Sequence, residues 1–145
     1  MEQQDLGINY VAVLVATVAN FVVGYLWYTP LFGKAWAKEL GMDTNGKPTS
    51  GQMARGLIMG FIGNFLLAYV FAHNNAAWSF VPGMDQMSAG PTIFMSAVFT
   101  WLGFYLPGDM NRVAWEGNSW KLFFINTSYH LVILVVAATI LTMMR

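Results

Sequence analysis

The residues of this chain with chemistry to offer are few, and they stand where polar groups are least at home. The stretch SWKLFFINTSYHLVILVVAAT (119–139) is apolar enough to cross a bilayer, yet it holds Asn126, Thr127, Ser128 and His130. Asn20 and Asn64 interrupt two other apolar stretches. Amides, hydroxyls and an imidazole in hydrocarbon must find hydrogen-bond partners there. Counted at ~1.5 Å per residue from the more basic ends of their helices, Asn20 lies ~12 Å in, Asn64 ~15 Å, His130 ~13 Å and Asn126 ~7 Å. Asn126 and His130 are four apart and share a helix face. The expectation is a polar layer of Asn20, Asn64, Asn126 and His130, drawn from three helices, whose members satisfy one another. Such a layer is either interhelical glue, at ~0.6–2 kcal/mol per bond, or a site, because an ionisable group inside a membrane is expensive and by default functional.

Other chemistries find little support. There is no cysteine, which excludes disulfides, thiolate metal sites and Cys nucleophiles and leaves the redox compartment open. His73 lies ~16 Å or more from the level of His130, so the two cannot share a metal within one subunit; no metal centre or cofactor is expected. The segment PGDMNRVAWEGNSWK (107–121) carries Asp109, Arg112, Glu116 and Lys121, read either as boundary charge or as a cytoplasmic mouth to the polar layer. Asp109 and Arg112, three apart, are spaced to pair. An enzyme needs an activated nucleophile or an acid/base pair, and only His130 with nearby hydroxyls is on offer. Ser128 and His130 are two apart on a helix and face different ways. The triplet Asn126-Thr127-Ser128 fits a glycosylation sequon that would be inert in lipid.

These residues need helices to position them. Of 145 residues 57% are hydrophobic and 10% charged, against about 25% charged in a soluble domain. Net charge is zero, which points away from nucleic acid. Four stretches, roughly 8–28, 54–73, 88–106 and 122–143, approach the ~20 residues that span a bilayer. The first reads as a span rather than a cleaved leader, since no Lys or Arg precedes it and no small-x-small site follows. Lys34, Lys38, Lys47 and Arg55 accompany the first connection, and Arg112 and Lys121 the third; only Arg145 stands on the opposite side. This bias places loops 29–53 and 107–121 in the cytoplasm and both termini outside. Within the first of these loops GKAWAKEL, following Pro30, reads as a short interfacial helix. Trp27, Tyr28, Trp36, Trp115 and Trp120 fall at one boundary and Tyr10, Trp78 and Phe80 at the other, as in an aromatic belt.

Two helices carry ridges of small side chains with an Asn inside them: Ala12, Ala16, Asn20, Gly24 and Gly56, Gly60, Asn64, Ala68, Ala72. Small ridges let helices approach closely in lipid, so these two faces are expected to meet with Asn20 near Asn64. The local sequences ANFVVGYLW (19–27) and GNFLLAYVF (63–71) agree in order. A fainter echo relates GYLWYTPLFGKAW (24–36) to GFYLPGDMNRVAW (103–115), as if two hairpins shared an origin.

WYTPLFGKAW (27–36) and the run from Arg112 through WEGNSWKLFFINTSYHLV (115–132) resemble the domain of unknown function 1761 family, most strongly at Trp27, Pro30, Gly33, Trp36, Asn126 and His130. The resemblance implies a four-helix integral membrane protein and adds no mechanism. The reading is therefore an all-α membrane bundle of four transmembrane helices forming one domain over residues 1–145, placed in a bacterial inner membrane. Four helices enclose little space, so a homo-oligomer is expected. The leading function is a small permeation or ligand-binding protein whose ligand is a small molecule, lipid or ion. The alternatives are a structural or accessory subunit and, third, a membrane-embedded enzyme.

Overall fold

The computed structural model describes residues 5–43 and 45–145. It is all-helical among these residues, and four helical stretches are long and apolar enough to cross a membrane: Tyr10–Leu31, Ser50–Trp78, Ala89–Glu116 and Trp120–Met143. In chain order the elements are α1 (Tyr10–Leu26), a π-helical turn (Trp27–Leu31), α2 (Gly33–Glu39), α3 (Ser50–Trp78), α4 (Ala89–Thr100), a second π-helical turn (Trp101–Tyr105), α5 (Leu106–Glu116) and α6 (Trp120–Met143).

The helix starts follow from capping chemistry. Asn9 Oδ1 accepts the Ala12 N–H, and its Nδ2 donates to the Met144 carbonyl at 2.6 Å, tying the start of α1 to the end of α6. Thr49 and Gln52 form a reciprocal capping box that opens α3 four residues ahead of the expected start. Ser119 accepts the Leu122 N–H and opens α6.

The π turns explain the main departure from the sequence reading. Each is closed by a bond back to a Trp carbonyl, Phe32 N–H to Trp27 and Leu106 N–H to Trp101. A proline cannot donate to the carbonyl four residues back and clashes with it. Pro30 sits inside the first turn, and Pro107 follows the second, in the first turn of α5. There a missing N–H leaves no gap in the ladder. The third span was expected to stop near residue 106, with 107–121 as a loop. Instead the helix resumes and runs to Glu116, ending at Gly117 in the left-handed conformation (φ 69°), whose N–H returns to the Arg112 carbonyl. Asp109, Arg112 and Glu116 therefore lie on a helix rather than in a loop, and Lys121 lies in the first turn of α6. The first span also ends differently: Phe32 breaks it, and the expected short helix follows as α2. Gly33 is required at that corner, since a Cβ there would stand 2.5 Å from the Tyr28 carbonyl oxygen.

The spans pack in the order α3, α1, α6, α4, with α6 also touching α3. Ala12 and Ala16 of α1 share one buried cluster with Ala68 and Ala72 of α3 and with Ala97, Ala137 and Ala138 of α4 and α6. Small side chains thus bring α1 and α3 together as the ridges predicted. The ridges part toward the other end. Gly56 is exposed, Gly60 meets only Phe21, and Gly24 lies under the Tyr129 hydroxyl of α6 rather than against α3.

Candidate functional site

Two tryptophans hold the polar part of α6. Trp27, which opens the first π turn, donates its indole N–H to the Ile125 carbonyl at 3.0 Å. Trp101, which opens the second, donates to the Thr127 carbonyl at 3.0 Å and to Thr127 Oγ1 at 3.1 Å. The same device, a Trp at the start of a π turn anchored on α6, thus occurs once in each half. Its register pairs Trp27 with Trp101, whereas the sequence echo had paired Gly24 with Gly103. Between the two anchors, the Tyr28 hydroxyl donates to Asn126 Oδ1 at 2.8 Å. Tyr28 also packs edge-on against Tyr129 and Trp36, which seats α2 beside α6. Ser119 donates to Glu39 Oε2 at 2.6 Å and fixes the far end of α2.

One turn along α6, His130 meets a carboxylate. Its Nδ1 lies 2.7 Å from Asp109 Oδ2. Asp109 is 5% exposed, and the His130 side chain 20%. The two atoms share one hydrogen bond, which a carboxylate accepts from the Nδ1–H tautomer of the imidazole. Tyr105 lies tilted at 45° against the ring, 4.8 Å between centroids, and Tyr129 flanks it at 5.7 Å. Arg112 reaches Asp109 Oδ1 only at 3.9 Å and is half exposed, so the expected i, i+3 pair is loose beside the bond to His130.

The sequence reading had placed Asp109 at a charged mouth and had found no carboxylate to partner His130. Extension of the third helix through Asp109 overturns that. The signals were present: Pro107 is at home at a helix start, Asp109 falls in a first turn, and Gly117 is a stop. Glu116 and Lys121 are exposed and reach neither His130 nor Asp109.

The expected mutual satisfaction of the polar layer is not what the geometry gives. Asn126 bonds to Tyr28 and His130 to Asp109. Asn64 Nδ2 donates to the Gly60 carbonyl of its own helix at 2.9 Å. Asn20 is fully buried, and neither its Oδ1 nor its Nδ2 has a partner among the described residues. The reason is direction: α6 turns Asn126 and His130 toward partners on the first π turn and α5, while α1 and α3 meet beside Asn20 through Phe21, Gly60 and Phe61. His73 bonds to the Tyr69 carbonyl at 2.8 Å and packs on the Tyr69 ring.

The family model described as a protein of unknown function (DUF1761) matches residues 11–142. The chain belongs to this family. The match runs from α1 to the last turn of α6 and so covers both halves, Asp109 and His130 included. No curated protein and no solved structure matches the chain.

Proposed function

We propose that this DUF1761 protein is a small permeation or ligand-binding protein of the bacterial inner membrane, with a proton-exchanging site centred on His130 and Asp109. The supporting observation is the 2.7 Å bond between a buried carboxylate and an imidazole inside apolar helices. Burying such a pair is often no more stable than an apolar substitute, so stability alone gives little reason for it. Asn126 with Tyr28 forms the neighbouring polar wall, and Asn20 and Asn64 are polar positions farther along α1 and α3. Arg112, Glu116 and Lys121 stand at the open end, which the excess of basic residues assigns to the cytoplasm, with both termini outside. The chain acts as one membrane domain and as a homo-oligomer, because four spans enclose little room for a pathway in one subunit.

The test is reconstitution into proteoliposomes containing a pH-sensitive dye. Wild type is expected to relax an imposed pH gradient faster than empty vesicles, and Asp109→Asn and His130→Gln to abolish the difference while keeping helical content. A wild type indistinguishable from empty vesicles would remove the proton-exchange reading. The accessory-subunit reading is favoured by the anchoring of α6 through Trp27, Trp101 and Tyr28. It would prevail if these variants lost fold and no flux accompanied the wild type. A periplasmic reporter fused after Arg145 is expected to be active; activity of a cytoplasmic reporter there would reverse the orientation.

A further inference from the structure

The opposite end of the molecule holds a second place for a ligand, independent of the Asp109–His130 reading. A cavity of about 260 Å³ lies between the end of α3, the segment 79–88 and α4, walled by Trp78, Met84, Met95 and Phe99. A second, of about 210 Å³, lies where α1, α3 and α6 end. Asn75, Ser79 and Arg145 line both, so the two meet at these three residues. The first is almost wholly apolar and the second evenly mixed, which makes the pair an amphipathic cleft.

The polar groups around the cleft are unequal in kind. Ser79, Thr92 and Ser96 donate their hydroxyl protons to the carbonyls of Ala76, Ser88 and Ile93 in their own chain segments. Asn75 Nδ2 is buried and has no acceptor among the described residues. Arg145 adds a guanidinium. Asp85, on the connecting segment, is exposed and lines neither cavity. What the cleft leaves unmet is therefore one buried amide donor, with a guanidinium near it, beside an apolar slot. Phe99 and Met95 line that slot while remaining exposed on the outer face of α4, so it opens sideways, toward where acyl chains would lie.

The geometry points to a phospholipid site: one acyl chain in the slot between α3 and α4, with the phosphodiester oxygens accepting from Asn75 Nδ2 and Arg145. A phosphodiester supplies the acceptor that Asn75 Nδ2 lacks and the charge that complements the guanidinium.

The experiment is native mass spectrometry of the full chain extracted from membranes in mild detergent. Delipidated protein is then titrated in parallel with phosphatidylglycerol and with oleate. Wild type is expected to retain one phospholipid. Losing a hydrogen bond to a charged group should lower phospholipid affinity by about tenfold or more in Asn75→Leu. Ser96→Phe, which fills the apolar slot, should lower it independently, so a folding failure in either variant leaves the other to decide. Equal retention by wild type and a folded variant overturns the site. So does binding of oleate without phospholipid, which would make the cleft a receptor for free fatty acids. Proton flux through Asp109 and His130 is a separate readout that these variants should leave unchanged.

Discussion

Asp109 and His130 depend on each other for their place in an apolar interior. Removing one member of a buried pair leaves an uncompensated polar or charged group and costs about 3–5 kcal/mol, whereas replacing both with apolar groups is near neutral. Asp109→Leu alone should therefore lower the unfolding midpoint sharply, and Asp109→Leu with His130→Leu should recover most of the loss. A double-mutant cycle in detergent measures this as a coupling energy. Asn20 makes the opposite prediction. Its amide is fully buried with neither atom partnered, and such a group costs about 1–3 kcal/mol. Asn20→Leu should therefore leave thermal stability unchanged or raised, where a glue residue would be missed. Sequence found His130, Asn126 and Asn20 because a polar residue in an apolar run needs no context to be noticed. It misplaced Asp109 because the third span was ended at residue 106, short of α5. Trp101 went unremarked because an indole inside an apolar stretch looks like filling until its N–H is followed to Thr127.

The elements most legible in the sequence were those written in local chemistry. Apolar length gave four spans, and GKAWAKEL gave the short helix now seen as α2. Small residues four apart gave the meeting of α1 and α3. What escaped was the π turn, which depends on how a proline, a tryptophan and a neighbouring helix share space. Trp27 and Trp101 begin these turns and also hold α6. Trp27→Phe and Trp101→Phe keep an aromatic side chain but remove the indole N–H and some volume, so each should cost at least about 0.5–1.5 kcal/mol for the lost hydrogen bond. Gly33→Ala tests the corner between the first π turn and α2. A methyl 2.5 Å from the Tyr28 oxygen must displace backbone, and overpacking of this kind costs about 1–3 kcal/mol. The loss should appear as faster amide exchange in α2 before any change in α3.

At the scale of the whole molecule, α6 lies inside the packing order with α1, while α3 and α4 take the ends. Each half repeats one scheme, a span, a π turn opened by Trp, a short helix and a long helix, and both halves converge on α6. This arrangement was only partly readable from the sequence. Orders of packing follow from which faces are complementary, and the Ala97, Ala137 and Ala138 contacts joining α4 to α6 carry no motif. Chain order and packing order also disagree, and this bears on biogenesis. As synthesis proceeds, α1 and α3 enter the bilayer with their shared ridge available at once. The third span then enters without its main neighbour, and its carboxylate at Asp109 must wait for the imidazole. The keystone α6 follows all of its neighbours in chain order, so a chain released after residue 118 should crosslink α1 to α3 while its third span remains open to insertion chaperones.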